Sequence, residues 1–309
     1  MSNVHFDKRC TDDERRRALF KGDLFVYSPT RATSRLCALA QSMIEEAFSP
    51  HDPLKVDQLL TMEECAAILA KLKPAFIHHP ECKSLLPEIV QELGGDPEKV
   101  HFDVPRMRSA YPQSYLTSGI AYAFHPHRDT WYSAPGCQIN WWLPISELTH
   151  ENCLAFYPGY FSRAVKNNSE IYNYYEWNKK SRADAAKHVK SDERPQPKLQ
   201  EAIEGPDLRV LCPPGGLILF AGAQLHETVP NVSGVARYSI DFRTVHYDDV
   251  ARHEGAPNMD SRCTGTTMRD CLRCADLQHL PDEVIASYDD GTEVSSEVLV
   301  FKAEQALAK

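Results

Sequence analysis

Three residues with the chemistry of metal ligands stand at informative positions in this chain. His127 and Asp129 are two residues apart, and His226 lies much further along. On an extended strand, residues two apart point to the same face, so one metal ion can take both side chains, with a third ligand arriving from another strand. Two histidines and one carboxylate on one face of an octahedral ion leave three adjacent positions open. The sequence therefore predicts a facial metal site with room for further ligands.

The surrounding sequence indicates where these ligands lie in the fold. Asp129 follows a strand-like apolar run at 120–124, and His226 follows the apolar run 217–220, which comes after a Pro-Pro-Gly-Gly turn. We expect both sets of ligands at the ends of buried strands, where a rigid scaffold can hold them. His125 would share a strand face with His127, but only His127 has a carboxylate two residues on. We therefore expect His125 to be a supporting or core histidine.

An arginine beyond the second histidine adds a possible anion site. On the strand that begins at Arg237, alternation places four polar side chains on one face: Arg237, Ser239, Asp241 and Arg243. A polar strand face is normally solvated, but in a closed sandwich it can line a pocket between two sheets. With His226 upstream, the pocket is the favoured interpretation. A guanidinium in such a pocket can bind a carboxylate through two parallel hydrogen bonds.

The rest of the pattern predicts helices first and strands afterwards. Apolar spacing predicts helices at 33–48, at 61–72 behind a capping box and ending at Pro74, and at 85–93. After His101, short runs rich in β-branched and aromatic residues predict strands at 118–124, 137–143, 153–157, 208–211, 217–220 and 238–245. Short strands with turn signals indicate a sandwich or barrel.

We therefore predict a single domain over 1–309. Its parts are a helical N-terminal part at 1–100, a mainly β catalytic core at 101–247, and a C-terminal extension at 248–309. The core contains a long polar and aromatic insertion at 159–205. A connection of that length usually acts as a lid or binding loop, or has helices of its own. We expect a partly helical lid.

Composition narrows the class of partner. The chain has 309 residues, 42% of them hydrophobic and 25% charged, which is typical of a globular protein with an ordinary core. A formal charge of −9 argues against a bulk affinity for nucleic acid or anionic membranes, so a small-molecule substrate is the expected partner. The charged N-terminus lacks the apolar core of a signal peptide, and we expect a cytoplasmic protein. The sequence leaves the oligomeric state open.

The ten cysteines are expected to be reduced thiols packed as small hydrophobic residues. The closest cluster is Cys263, Cys271 and Cys274, with two histidines nearby. Cys271 and Cys274 have the spacing of half a structural zinc site, but no second pair matches it. Thiols are the favoured interpretation, and zinc remains the alternative.

Taken together, the motif His127-x-Asp129, His226 and Arg237-x-Ser239 resembles the Fe(II)/2-oxoglutarate-dependent oxygenases, particularly the phytanoyl-CoA dioxygenase-like branch. The resemblance covers about 111–246 and implies a double-stranded β-helix, or jelly roll. It implies that Fe(II) is held by the two histidines and the aspartate, with O2 as a cosubstrate. It further implies that the cosubstrate 2-oxoglutarate meets Arg237 and Ser239, and that the hydroxyl of Thr228 touches it.

The resemblance also implies the class of reaction. In halogenating members a small residue replaces the carboxylate ligand and opens a site for chloride, whereas Asp129 is present here. Hydroxylation of an unactivated C–H bond, or a related desaturation or ring closure, is therefore favoured, and halogenation would follow only if Asp129 were not the ligand. For the substrate we expect a small polar metabolite or natural-product intermediate that contacts Arg243, Trp141 and Tyr157. Because Trp141 and Trp142 are strand neighbours, at most one of them should face the site.

Two other classes remain open. A cupin-like metalloprotein with chemistry independent of 2-oxoglutarate, such as an isomerase or another dioxygenase, commonly has extra histidine ligands and needs no arginine after the last one. A binding module with purely structural histidines would hold no metal at all.

Overall fold

The structure is a computed structural model and describes residues 2–181 and 184–289. Positions 182–183 of the predicted insertion and 290–309 of the predicted C-terminal extension lie outside the described residues. The α-helices in the described ranges are α1 (Asp12–Leu19), α2 (Arg31–Phe48), α3 (Val56–Leu59), α4 (Met62–Ile77), α5 (Pro80–Glu92), α6 (Tyr174–Lys180), α7 (Tyr247–Ala251) and α8 (Asp282–Ala286). The strands are β1 (Val4–Phe6), β2 (Leu24–Tyr27), β3 (Val100–Phe102), β4 (Arg106–Ala110), β5 (Ile139–Pro144), β6 (Leu154–Phe156), β7 (Leu208–Val210), β8 (Leu217–Ala221), β9 (His226–Thr228), β10 (Arg237–His246) and β11 (Leu272–Arg273).

These strands form two sheets. The larger sheet has eight strands in the order β1, β2, β8, β5, β10, β3 and β11, with β4 also paired to β10. The smaller sheet has the order β7, β6 and β9 and is antiparallel. In the larger sheet β1 and β2 are parallel, and the other pairs are antiparallel. The prediction of a β core with N-terminal helices is therefore confirmed as a mixed sheet core with helices.

The larger sheet is buried on both faces, which places its alternate residues in different surroundings. The face toward α2, α4 and α5 carries side chains such as Trp141, Leu219 and Ile240. The face toward the smaller sheet carries their neighbours, such as Trp142 and Ile218. Full burial stabilises the fold by roughly 2 kcal/mol for each large apolar side chain. The two sheets therefore pack across one apolar layer, and the helices cover the opposite side.

Local signals explain where the long helices begin, and burial explains where one of them ends. Thr61 accepts a hydrogen bond from the backbone N–H of Glu64, and the Glu64 carboxylate accepts one from the N–H of Thr61, which is the predicted capping box. The predicted end of this helix at Pro74 is wrong, because α4 continues past it. The proline removes one backbone donor, and the fully buried Phe76 anchors the next turn in the core.

Five of the six predicted strands are present, close to their predicted bounds, but the predicted strand at 118–124 is wrong. Gly119 there has φ +58°, outside the strand region, and a Cβ at this position would lie 2.3 Å from the carbonyl oxygens of Ala185 and His188. This segment therefore forms a tight turn against the insertion. The expectation of a mainly helical first hundred residues also missed β1 and β2, although β2 is a run of four buried apolar residues.

The segment 159–205 is partly helical, as predicted. It contains α6 and several single turns of 3-10 helix. The side chain of Asn173 caps α6 by accepting hydrogen bonds from the backbone N–H groups of Tyr175 and Glu176. None of the described helices, here or elsewhere, has both the length and the apolar character needed to cross a membrane.

Candidate metal centre

The predicted metal ligands come together through backbone pairing between distant segments. His127 and His226 form an antiparallel bridge in which each N–H donates to the other's carbonyl, at 2.9 and 3.0 Å. The N–H of Asp129 donates to the carbonyl of Gly222 at 2.8 Å, and Asp129 begins a short 3-10 helix. The expectation of a regular strand before Asp129 is therefore corrected. A bridge and a turn, instead of strand alternation, bring the two side chains together.

Both histidines present the same ring nitrogen to the site. Nδ1 of His127 lies 2.8 Å from the carbonyl oxygen of His125, and Nδ1 of His226 lies 2.9 Å from that of Gln224. A carbonyl oxygen only accepts, so Nδ1 is the protonated nitrogen in each ring and Nε2 keeps its lone pair. The exposed His125 thus supports the site through its backbone, and the expectation of a core side chain is wrong. Burial lowers the pKa of His226 to about 3, so its ring stays neutral at pH 7.

The carboxylate of Asp129 is held so that its two oxygens have different partners. Oδ1 lies 3.4 Å from Nε2 of His127 and 3.9 Å from Nε2 of His226. Oδ2 accepts a hydrogen bond from Nε2 of Gln138 at 3.0 Å and lies 3.5 Å from Nε of Arg243. Burial opposes ionisation, but the close contact with His127 and the charge of Arg243 outweigh it. The pKa of Asp129 therefore lies well below its usual range.

These three side chains have a donor set that suits a metal ion. One ligand atom from each of His127, Asp129 and His226 can be chosen so that all lie within 4.8 Å of one another. Within the described part of the chain, no other group of three or more histidine, cysteine or acidic side chains meets this criterion. Two imidazoles and one carboxylate on one side, with the other side open, match the facial triad of non-haem Fe(II) sites. The residues present fit Fe(II).

Arg237 is a buried cation without an anionic partner. Its Nε donates to the carbonyl of Asn152 at 3.0 Å, its Nη1 donates to Oγ of Ser239 at 2.6 Å, and its guanidinium lies 5.4 Å from the ring centroid of Trp142. Among the described residues no carboxylate lies within 4.0 Å of it, although only 2% of the residue is exposed. Burial lowers the pKa of Arg237 to about 10. A buried charge of this kind favours binding of an anion.

Arg243 lies on the same strand face and has the opposite surroundings. Its guanidinium nitrogens lie 3.2 Å from Asp241, 3.5 Å from Asp129 and 3.6 Å from Asp103. Burial opposes its charge, but the three carboxylates outweigh that cost and raise its pKa. Arg243 is therefore already neutralised and is suited to orienting Asp129. This does not favour the predicted contact between Arg243 and the substrate.

The metal ligands open into a cavity of about 390 Å³, within the usual range of roughly 300–1,000 Å³ for small-molecule sites. Arg237, Thr228 and Arg243 line this cavity. Ser239 does not line it, but its hydroxyl accepts a hydrogen bond from Arg237. Trp142 lines the cavity, and Trp141 does not.

Two predicted substrate contacts are therefore corrected. Trp141 faces the helices, where its ring stacks on Phe242 at 5.4 Å and its Nε1 donates to Oγ1 of Thr244 at 2.8 Å. Tyr157 is also absent from the cavity lining, because its hydroxyl donates to Glu227 and its ring packs with Trp131. In both cases the neighbouring strand fixed the direction of the side chain.

The predicted insertion contributes part of the cavity wall. Its lining residues are Tyr172, Tyr174, Trp177, Asn178, Ala185, Arg194 and Gln196. Near the metal ligands the wall is aromatic: the rings of Phe124 and Tyr132 lie 5.0 and 5.5 Å from the ring of His127. Tyr132 in turn lies 5.2 Å from Tyr172. These rings keep the space beside His127 apolar.

Sequence reasoning missed several residues that support the site. Gln138 and Asn140 line the cavity beside Trp142, and Nε2 of Gln138 donates to both Asp129 and Asn140. The available signal was the two-residue spacing of Gln138, Asn140 and Trp142. Asn140 and Trp142 share one face of β5, and Gln138 comes immediately before this strand with the same spacing. Phe124 and Tyr132 carried no signal, because their segments are irregular.

Arg128, which lies between the ligands His127 and Asp129 in the metal motif 127–129, contacts segments that are distant in the sequence. Only 1% of the residue is exposed. It donates hydrogen bonds to the carbonyl oxygens of Ala223, Tyr160 and Arg163, and its Nε lies 3.2 Å from Oδ2 of Asp260. Hydrogen bonds from Arg128 thus hold the start of the insertion against the metal motif, and its buried ion pair with Asp260 holds the C-terminal extension.

The three cysteines of the predicted cluster, Cys263, Cys271 and Cys274, have different surroundings. Cys271 and Cys274 are buried, and Cys271 packs among apolar side chains such as Val250. The thiol of Cys263 donates to the carbonyl of Thr130 at 3.0 Å. All ten cysteines are free.

Comparison with known proteins identifies the family of this chain. A sequence profile described as Phytanoyl-CoA dioxygenase (PhyH) matches residues 62–239, more than half of the chain, and this range contains His127, Asp129, His226, Arg237 and Ser239. No curated protein matched the sequence.

Several solved structures are similar to this chain at low sequence identity. EvdO2 from Micromonospora carbonacea var. aurantiaca, complexed with 2-oxoglutarate, is 15% identical, with a TM-score of 0.45 over 78% of this chain and 93% of that chain. The non-heme monooxygenase ThoJ, as its nickel complex, is 13% identical, with a TM-score of 0.34 over 71% of each chain. The epimerase SnoN, in complex with Fe3+, alpha ketoglutarate and nogalamycin RO, is 10% identical, with a TM-score of 0.40 over 76% and 84%.

Proposed function

Since the chain belongs to the phytanoyl-CoA dioxygenase (PhyH) family, we propose that it is an oxygenase that hydroxylates an unactivated C–H bond of a small polar metabolite or natural-product intermediate. Fe(II) is its metal, and 2-oxoglutarate and O2 are its cosubstrates. One observation carries the proposal: the cavity that contains the triad also contains Arg237, a buried cation without a carboxylate partner among the described residues. A dicarboxylate that chelates the metal through its keto-acid end needs such a cation for its far end.

The chain's own residues hold both components. Nε2 of His127, Nε2 of His226 and Oδ1 of Asp129 are the ligand atoms we assign to Fe(II). Arg237 is assigned to the far carboxylate of 2-oxoglutarate, with Ser239 fixing its guanidinium. When bound, Fe(II) and 2-oxoglutarate together supply the activation of O2 that oxidises the C–H bond.

The walls of the cavity orient the substrate and exclude water. Thr228 lines the cavity and is assigned as a hydroxyl contact for 2-oxoglutarate. Phe124 and Tyr132, beside His127, keep the reacting region apolar, which limits water access to the oxidant. We assign 159–205 as a lid, supported by the aromatic and polar residues that it contributes to the cavity. We also propose that the two facing sheets form a jelly roll.

The position of Asp129 supports hydroxylation over halogenation. Its Oδ1 faces the two histidines, and its Oδ2 is held by Gln138 and Arg243. The carboxylate therefore fills the ligand position that a halide would need. Desaturation and ring closure use the same site but add no oxygen atom to the product. Incorporation of one ¹⁸O from ¹⁸O2 into the product distinguishes hydroxylation from both of these reactions.

The test uses the visible charge-transfer band of the 2-oxoglutarate chelate. Fe(II) is added anaerobically to the purified protein, followed by 2-oxoglutarate, and the weak band is titrated. Arg237→Met should weaken 2-oxoglutarate binding by roughly 10- to 100-fold, because hydrogen bonds to a charged group contribute about 1.5–3 kcal/mol. His226→Ala should abolish the band. Arg35→Met, which removes an exposed arginine on α2, is the matched control and should titrate like the wild type.

Two results would overturn the assignment. The first is the absence of a band with the wild-type protein. The second is an Arg237→Met protein that binds 2-oxoglutarate as tightly as the wild type, since the far carboxylate would then have another partner.

A further inference from the structure

The wall of the cavity carries more positive than negative charge, in a protein whose formal net charge is −9. Six cationic side chains line it: Lys73, Arg106, Arg108, Arg194, Arg237 and Arg243. Three carboxylates line it: Asp103, Asp129 and Asp241. Fe(II) and the 2-oxoglutarate dianion cancel each other's charge, so their binding leaves this excess in place. The loaded cavity therefore still attracts an anion.

Most of these cations are already neutralised by carboxylates. Arg106 pairs with Asp103 at 2.5 Å, Arg108 pairs with Asp241 at 2.5 Å, and Arg243 faces three carboxylates. Arg194 pairs at 2.5 Å with Asp192, just outside the lining. In the described ranges, two lining cations have no carboxylate within 4.0 Å. One is Arg237, assigned above to 2-oxoglutarate, and the other is Lys73.

Lys73 lies on α4 and lines the cavity. Its Nζ donates to the carbonyl of Ile120 at 2.5 Å, which uses one of its three N–H groups. Pro74, Ile77 and Ile120 line the same part of the cavity. Burial, followed by the charge of Arg108, lowers the pKa of Lys73 to about 7. Among the described residues, no carboxylate therefore lies close enough to act as a counter-ion for the ammonium form of Lys73.

We propose that Lys73 binds an anionic group of the substrate, a carboxylate or a phosphate, while the rest of the substrate packs on the aromatic rings that lead to the metal ligands. This inference rests on the proposed oxygenase function and names its substrate class: an anionic molecule with an apolar or aromatic body. Phe124 and Tyr132 line the same cavity beside His127, so they provide the apolar surface. Lys73 takes the role that the sequence had suggested for Arg243.

The first test measures protection of the Lys73 amine. Protein loaded anaerobically with Fe(II) and 2-oxoglutarate, so that Arg237 is occupied, is treated with limiting acetic anhydride, and acetylation is quantified by peptide mass spectrometry. Phenylacetate, phenyl phosphate and the neutral phenylacetamide are the probes. Both anions should slow acetylation of Lys73 at least fivefold, and phenylacetamide should not. Lys71, exposed on the same helix, is the internal control and should react equally in all samples.

The relative effects of the two anions distinguish a carboxylate site from a phosphate site. If Lys73 does not react without a probe, or reacts equally with all three probes, the inference is overturned. The chelate band is recorded in the same samples. Loss of that band would overturn the proposed function, whereas an intact band without protection would overturn only the assignment of Lys73.

The second test uses variants, because a change at Lys73 also removes its hydrogen bond to Ile120. Binding of phenylacetate next to the metal is followed as a perturbation of the chelate band. Lys73→Met should weaken phenylacetate binding at least tenfold, and Lys73→Arg should restore most of it by restoring the charge. The chelate band recorded before phenylacetate is added shows whether each variant still binds Fe(II) and 2-oxoglutarate. Equal phenylacetate binding by Lys73→Met and wild type would contradict the inference.

Discussion

Gln138 donates a hydrogen bond from its side-chain amide to Oδ2 of Asp129 at 3.0 Å, and Oδ1 of that carboxylate is left facing the two histidines. Because a carboxylate only accepts, the amide must present its NH2 group to Asp129. The same NH2 group donates to Oδ1 of Asn140 at 2.9 Å, which fixes its orientation. A neutral side chain thus determines which oxygen of the acidic ligand is available to the metal.

Gln138→Ala should therefore weaken Fe(II) binding by roughly 10- to 100-fold, the usual cost of removing a hydrogen bond that orients a metal ligand. The measurement is an anaerobic Fe(II) titration in saturating 2-oxoglutarate, followed by the chelate band. Gln41→Ala, an exposed glutamine on α2, is the control. An unchanged Fe(II) dissociation constant in Gln138→Ala would show that Arg243 alone orients the carboxylate.

Neighbouring tryptophans should have separable effects because they face opposite sides of β5. Trp142→Leu removes the ring beneath the Arg237 guanidinium and should weaken 2-oxoglutarate binding about tenfold, since a desolvated cation–π contact contributes about 1–2 kcal/mol. Trp141→Leu should instead lower the free energy of unfolding by roughly 3 kcal/mol, through lost packing on Phe242. Chelate-band titration and urea unfolding measure the two effects. Equal losses of 2-oxoglutarate affinity would contradict this division.

Arg128→Leu should destabilise the fold by about 3–5 kcal/mol, because it leaves Asp260 as a buried carboxylate without its ion-pair partner, held only by the N–H groups of Trp131 and Val165. Urea unfolding measures the change, and metal content after refolding reports whether the insertion still closes on the motif. Arg163→Ala is the control, because its exposed side chain only stacks on Tyr160, and it should change stability by less than about 0.5 kcal/mol. A small effect of Arg128→Leu would show that the N–H donors of Trp131 and Val165 are sufficient to stabilise the Asp260 carboxylate.

Binding of phenylacetate should depend on pH through Lys73. The protonated amine binds the anion, so this contribution is present below the lowered pKa of about 7 and is lost as pH rises through it. Between pH 7 and 8.5 the affinity should fall on the order of tenfold, whereas a lysine with an ordinary pKa would show no change. Arg108, Asp241 and Cys65 are the other groups whose charges act on Lys73, and none of them changes in Lys73→Arg. Binding by Lys73→Arg should therefore be independent of pH in this range.

Local rules determined much of this protein from its sequence. The residue types at His127, Asp129 and His226 identified a ligand set, although a turn and a β-bridge, not strand alternation, bring these side chains together. The alternation along Arg237–His246 identified a buried arginine, and apolar spacing and capping residues placed the long helices. Strand alternation and helix capping are encoded within a few neighbouring residues, so neither needed tertiary information.

Only the tertiary structure decided which groups have partners. Arg237 and Arg243 look equivalent in the sequence, yet Asp103 and Asp129 from distant segments, together with Asp241 on the same strand, neutralise Arg243. In the described ranges no carboxylate lies within 4.0 Å of Arg237. Trp141 and Trp142 are adjacent, and the sheet packing assigned one to the core and one to the cavity. The charge of Lys73 became informative only once α4 had placed it, half-buried, beside Ile120. Burial and ion pairing depend on residues far apart in the chain, and for that reason local patterns cannot supply them.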